Sequence, residues 1–546
     1  MSKLNAGVCA AAILLAAVAA PAFAQEAAYP GLADRMHGHI AFLADDALEG
    51  REAGERGYDL AAAYVGSQFQ SLGLEPANDR GWNQPATLVE RALVAPATAS
   101  WTDAAGETHD WTGDSGLLLS PGAREGAMNV DAPLVFVGYG VDAPGHGVDD
   151  YAGVDARGKI VVMLRGFPED LPSELGAHLS TQKGAMAQAK GAIGVVQLMS
   201  RADSERYPWS FLQNIFSTPA LSAAGPDGLP ISTAPNLKFS GYANHAAVAP
   251  LFADAPMSLE AVLDAAEAGE KLSAFDLDGT LSVQAESKFT TMVTPNVVGV
   301  LPGTDPALAD QPVMVTAHLD HEGIDPDESK EDRIYNGAMD NASGIAAMIE
   351  AARILKDNPT RRPVMFVALT AEEKGLLGAA YMAQNPLTQM ADVAGLVNLD
   401  MPVLTYDFED VVAFGAEEST LGELTRVAAA AEGVSLSPDP VPEETIFVRS
   451  DHYEFVKAGV PSIYLVTGWG GPGQAANEDF QEHHYHQVSD DMNLPIDWNA
   501  AAKFARLNAA IIRAIGDAET RPMWYEGSFF GNTFAPDADK APNPAE

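Results

Sequence analysis

Hydrophobic and polar positions follow three different textures along this chain. Between residues 31 and 75 the apolar positions recur at helical spacing. His39-Ile40-Ala41-Phe42-Leu43 opens one amphipathic pattern, and a second runs over 59–72 and stops at Gly73. Residues 85–125 are less periodic and carry several Gly, Pro and Thr. The next stretch predicts strands at 133–141, 158–164 and 193–198 and a short helix at 182–190, a compact mixed module with Gly-marked turns. From about residue 290 the pattern becomes regular: strands at 297–301, 313–317, 364–369, 393–399 and 461–466 alternate with helices at 342–355, 376–383 and 500–515. Such alternation predicts an α/β fold, a mixed, mainly parallel sheet with helices on both faces. The last dozen residues, rich in Pro and Asp, are expected to be disordered.

The N-terminus changes the compartment expected. Lys3, an apolar run over 8–20 and Ala22-Phe23-Ala24 before Gln25 have the layout of a secretory signal peptide over residues 1–24. The run is shorter than the ~20 residues a membrane span needs. The single cysteine, Cys9, lies inside it, so the mature chain has no disulfide, thiolate ligand or Cys nucleophile. Export without disulfides points to a bacterial periplasm or medium. A net charge of −43 argues against nucleic acid or an anionic membrane as partner. The length suits two or three domains.

Candidate chemistry is concentrated where predicted strands end. His318-Leu319-Asp320 follows the 313–317 strand, Glu372-Glu373 follows 364–369, Asp400 closes 393–399, and Asp340-Asn341 precedes the 342–355 helix. Ligand sites in open α/β sheets lie beyond the carboxyl ends of the strands. An acid closing an apolar strand is costly unless paired. Glu482-His483-His484-Tyr485-His486 adds three imidazoles.

Taken in order, these strings resemble peptidase family M28, the co-catalytic zinc aminopeptidases. The matching stretches are Ala317-His318-Leu319-Asp320, Asn336 to Gly344, Thr370 to Gly378, Asn398-Leu399-Asp400-Met401, Ser450-Asp451-His452-Tyr453-Glu454-Phe455 with Gly459-Val460-Pro461, and Tyr485-His486. The resemblance implies two Zn2+ per chain. His318, Asp340 and Asp400 would hold one, and Asp340, Glu373 and His486 the other, with Asp340 bridging. Glu372 would be the general base, and Asp320 would accept the other N–H of His318. The substrate would be a peptide whose free amine binds beside the metals, making the cleavage exopeptidic. Physical chemistry accommodates these roles. Imidazole and carboxylate suit zinc at about 2.0–2.2 Å, two ions about 3.5–4 Å apart can share a carboxylate and a water, and an unligated glutamate can carry the proton.

Residues 110–288 resemble a protease-associated (PA) domain, through Gly158-Lys159-Ile160-Val161-Val162, the 182–190 helix and Gly191-Ala192-Ile193-Gly194-Val195-Val196. The catalytic domain would then be discontinuous, 25–109 and 289–520, with a tail at 521–546. In relatives such a module borders the active-site mouth. Other signals compete. Phe275-Asp276-Leu277-Asp278-Gly279-Thr280-Leu281 matches a dehalogenase-type phosphatase nucleophile loop, but Asp-x-Asp-Gly is also a turn sequence. Asp325 to Lys330 begins like a calcium loop but has Lys330 where Gly is needed. No His-Glu-x-x-His or Gly-x-Ser-x-Gly motif occurs. Two alternatives stay open: a carboxypeptidase of the same fold, for which Arg333 and Arg449 are candidate carboxylate readers, and a non-catalytic receptor-like binding protein.

Overall fold

The computed structural model describes residues 29–113 and 115–544, and the signal peptide expected at 1–24 lies outside them. Four parallel strands form the centre, in the order Val364–Leu369, Val313–His318, Gly395–Leu399, Ser462–Thr467. Antiparallel neighbours extend it on either side: residues 297–301 beside Val364–Leu369, and Asp410–Phe414 beside Ser462–Thr467. Val313–His318 and Val364–Leu369 are buried at every position; the second is wholly apolar, and the first is apolar except for Thr316 and the terminal His318.

Alternate residues feed two cores. Val313, Val315 and Ala317 pack under the helices Leu32–Leu43, Arg56–Leu72, Gly344–Lys356 and Trp498–Asp517. Met314, Met365 and Val367 face Leu377–Gln384 and Phe455 on the other side. The expected α/β architecture is therefore present. All four parallel strands point their carboxyl ends to one edge, where the loops carrying the candidate residues converge.

The inserted module has its own core, built on Ile160–Leu164 lying parallel between Gly126–Phe136 and Gly194–Leu198. It is joined to the catalytic sheet by one continuous strand, Phe275–Leu301, which pairs with Gly126–Phe136, then Asn83–Leu93, then Val364–Leu369. The border expected at 288/289 falls inside this strand. The weakly periodic 85–125 stretch holds the strands Asn83–Leu93, Thr98–Thr102, Thr108–Asp110 and Leu117–Pro121. Proline ordinarily argues against an inner strand, but here Pro85 lies opposite Pro295.

The phosphatase-like string opens the long strand itself. Asp276 pairs with Lys159, and Asp278-Gly279 sits in a bulge between Leu277 and Thr280, so it is not a loop after a strand. In the calcium-like loop, the Lys330 ammonium occupies the Asp325 carboxylate. The disorder expected for the last dozen residues is corrected over the described part of that stretch: Ala535 packs against the core that buries Trp524 and Phe530, and Ala541 is buried with its backbone paired to Trp524 and Glu526. Composition counted the prolines and acids. The apolar surface around Phe447 and Tyr453 that receives this segment comes from distant parts of the chain. Among the described residues, no helix is long and apolar enough to cross a membrane.

Candidate metal centre

Asp340 sits at the centre of the carboxyl edge and is almost wholly buried. Its two oxygens face opposite ways. Oδ1 lies 3.0 Å from His318 Nε2, and Oδ2 lies 3.3 Å from His486 Nε2. His318 Nε2 is also 3.0 Å from Asp400 Oδ1, and His486 Nε2 is 3.1 Å from Glu373 Oε2. Two groups of possible metal donors thus meet at one carboxylate, each with an imidazole and a second carboxylate; donor atoms of His318, Asp340 and Asp400 lie within 4.8 Å of one another, and Glu373 gathers in the same way with His321 and Asp340 and with His486 and Glu322. One Glu372 oxygen lies within 4.8 Å of donor atoms of His318 and Glu373. Six of the seven candidates, all but Asp320, spread over 169 positions from His318 to His486, are thus brought together.

Local structure explains their placement. His318 is the last residue of its strand. Asp340 lies in a π-type turn, Ala338–Ser343, that leads into the helix Gly344–Lys356. Its backbone N–H and that of Met339 donate to the buried Asp490 carboxylate, at 3.0 and 2.8 Å. Asp400 accepts from Ser450 Oγ, which accepts from Asn398 Nδ2; Thr316 Oγ1 in turn donates to Asn398 Oδ1. Such outer partners hold a ligand's orientation.

Asp320 has a different task from the one expected. His318 Nδ1 donates to the backbone carbonyl of Asp320 at 3.2 Å, which leaves Nε2 facing the acids. The Asp320 carboxylate accepts the N–H groups of Glu372 and Glu373, at 3.1 and 3.3 Å, and so fixes the turn that presents both glutamates. The histidine run is also resolved. His483 bonds Asp479 and His484 bonds Ser489, whereas His486, with φ of 53°, turns inward. Asp451 does not cap its helix; both carboxylate oxygens are buried without a partner among the described residues.

Two residues escaped the sequence reading. His321 is fully buried with Nδ1 2.7 Å from Glu373 Oε1. Its signal was present, a second imidazole three positions after His318. Arg51 is 1% exposed and spends its guanidinium on the carbonyls of Leu319, Leu43, Asn336 and Gly337. Nothing in its local sequence marks it.

The electrostatics favour cations. Burial and Asp340 push the Glu373 carboxyl up, but bonds from His321 and His486 outweigh them and hold it down to about 2. Burial opposes charge on His486, yet Asp340 and Glu373 raise it to about 11. Burial, with the nearby charges of Asp400, Glu373 and Asp451, pushes Glu372 well above the usual carboxylate range. Buried carboxylates here outnumber the imidazoles, and the donor set is oxygen and imidazole nitrogen. That composition suits zinc, and a shared carboxylate suits a pair of ions.

The inserted module touches the loops behind this centre. Arg206 pairs with Glu444, which also pairs with Arg449, and His178 bonds the Tyr453 hydroxyl.

Residues 296–512 match peptidase family M28, and residues 130–228 match the PA domain. Aminopeptidase YwaD of Bacillus subtilis is 30% identical over 234 residues, 41% of this chain and 45% of that protein. A probable zinc metalloprotease of Pyricularia oryzae is 29% identical over 265 residues, 41% of this chain and 50% of that protein. The chain thus spans about half the length of these curated relatives. The solved aminopeptidase from Aneurinibacillus sp. strain AM-1 superposes with a TM-score of 0.49 at 19% identity, covering 90% of this chain and 95% of that one.

Proposed function

We propose that this chain, which carries an M28 peptidase domain and a PA domain, is an exported zinc aminopeptidase that removes N-terminal residues from peptides. The observation that carries the reading is that the two oxygens of Asp340 face separate imidazoles, Oδ1 toward His318 and Oδ2 toward His486. His318 and Asp400 would complete one zinc site, and Glu373 and His486 the other. Two bound zinc ions would supply Lewis acidity toward the scissile carbonyl and a water acidic enough to attack near neutral pH.

The protein's own groups would do the rest. Glu372 lies beside both sets without being needed as a ligand. Its carboxylate would take a proton from the attacking water and deliver it to the leaving amine. Burial and the neighbouring carboxylates raise Glu372, and its basic form would be favoured once that negative charge is offset by bound cations. Asp320 holds the Glu372–Glu373 turn, so both glutamates keep their aim while the proton moves. The acidic surroundings would also attract the substrate's ammonium group. The carboxypeptidase alternative gains no support from its candidate arginines. Arg449 is engaged by Glu444, and Arg333 lines a hollow with Asp45, Asp46, Glu331, Asp332 and Asp491.

The deciding experiment compares free and N-acetylated peptides on the zinc-loaded protein. Turnover should require the free amine. Equal turnover of the blocked peptide would reject the aminopeptidase assignment, and a purified protein without stoichiometric zinc would reject the metal assignment.

A further inference from the structure

His321 differs from the other two imidazoles of the centre in how it meets the acids. His318 and His486 each aim Nε2 between two carboxylates, within 3.0–3.3 Å of both. His321 aims Nδ1 at one, 2.7 Å from Glu373 Oε1, and the nearer oxygen of Asp340 is 4.0 Å away. A forked approach to two acids is what a shared cation replaces. A single short contact is a hydrogen bond. Glu373 is therefore held at both ends, with Oε1 on His321 and Oε2 turned to His486.

The ring itself has little freedom. It is fully buried and packs edge-on to His486, with centroids 5.8 Å apart. Gly337, with φ of 58°, lies directly over it; a Cβ there would sit 2.6 Å from the ring. The backbone N–H of His321 donates to the Arg51 carbonyl at 3.2 Å, and the Arg51 guanidinium ties the carbonyls of Leu319, Asn336 and Gly337 around it. Nε2 is buried without a hydrogen-bond partner among the described residues. A histidine kept only for packing would gain by satisfying both nitrogens. Here the one directed polar bond of the side chain goes to Glu373.

We propose that His321 is a positioning residue: its Nδ1–H fixes one oxygen of Glu373 so that the other is presented, with His486 and Asp340, to the second metal ion. The proposal rests on the two-ion reading above. It goes beyond that reading by separating a third imidazole of the centre from the ligands.

The test uses the full mature chain loaded with zinc, its His321→Ala, His321→Gln and His486→Ala variants, and three readouts. These are zinc affinity by chelator competition, kcat and KM on an aminoacyl-arylamide, and thermal unfolding of the metal-free proteins. His321→Ala should weaken one of the two zinc equivalents by about 10–100-fold, the usual effect of losing an outer partner, and lower kcat with KM little changed. His321→Gln, which keeps an N–H donor, should recover part of both. If His321→Ala does not fold, His321→Gln set against His486→Ala carries the test. Wild-type zinc affinity and kcat in His321→Ala would overturn the proposal. So would complete loss of one zinc equivalent in His321→Gln, as expected for His486→Ala, because that marks a ligand. An unaltered chain that binds no zinc and cleaves nothing would instead overturn the two-ion reading.

Discussion

Replacing Arg51 by Met keeps most of the side-chain volume and removes the charge and every donor. Four bonds go, from Nε to Leu319 O at 2.9 Å, from Nη1 to Leu43 O at 2.5 Å and Asn336 O at 2.6 Å, and from Nη2 to Gly337 O at 3.1 Å. At about 1.5–3 kcal/mol for each bond to a charged group, the gross loss is about 6–12 kcal/mol. Burying a guanidinium is itself expensive: burial drags its pKa down to about 10, although Asp490, Asp340, Asp320 and Glu373 oppose that. Relief of this penalty returns several kcal/mol, which leaves a net destabilisation of about 3–5 kcal/mol. For a domain of this size each kcal/mol shifts the melting temperature by about 2–3 °C. Arg51→Met should therefore melt roughly 6–15 °C lower. Arg51→Lys, with a compact ammonium that cannot span four acceptors, should fall between. Scanning fluorimetry of the metal-free protein measures this directly. Melting of Arg51→Met within 2 °C of wild type would refute the claim that these carbonyls depend on Arg51. A melting loss equal to that of Arg51→Lys would refute the part assigned to its forked geometry.

Three further outcomes follow from the same geometry. Glu372→Gln should keep its zinc and lose about 10²–10⁴-fold in kcat, the range for removing a positioned proton carrier; near-normal turnover in a single-turnover assay would end its role as base. Zinc affinity, read by chelator competition from pH 5.5 to 8, should tighten as pH rises, because His318 and His486 are held protonated by their acids and must release those protons to bind metal; a flat profile would contradict it. Glu350 is buried, which opposes its charge, but His39, Arg353 and Arg35 bring its carboxyl down to about 2. A depressed carboxyl contributes stability that is complete above its unfolded pKa near 4.5 and is lost as pH falls toward 2. Glu350→Gln should flatten the acid limb of a melting-temperature profile between those values, and an unchanged limb would show that the cluster does not contribute.

Much of this protein is legible from its order of residues alone. The buried parallel strands have to be predominantly apolar, and the chemistry of an open sheet collects at their carboxyl ends. His318, Asp340, Glu372, Glu373 and Asp400 could therefore be located from strand ends and a helix start. His486 could not be separated from His483 and His484 by composition; in the fold it is His486, with a left-handed backbone, that turns toward Asp340 and Glu373, while His483 and His484 bond Asp479 and Ser489. The strand at Asn83–Leu93 was hidden because Pro85 signals against pairing, and only the opposite Pro295 shows why it is tolerated.

What the sequence could not supply is any relation that depends on two distant segments meeting. The resemblance implies that the Asp320 carboxylate accepts from the His318 ring, yet the carboxylate reaches instead to the turn at 372–373. Arg51 and Asp490 lie 439 positions apart, and both act on the backbone of the loop that carries Asp340, one on its carbonyls and the other on its N–H groups. Ligand types and strand ends are local properties, set by side-chain chemistry and by the period of burial. The aim of each ligand is set by hydrogen bonds to backbone atoms that every residue possesses. A sequence cannot mark those atoms, and only the packed chain brings them within reach.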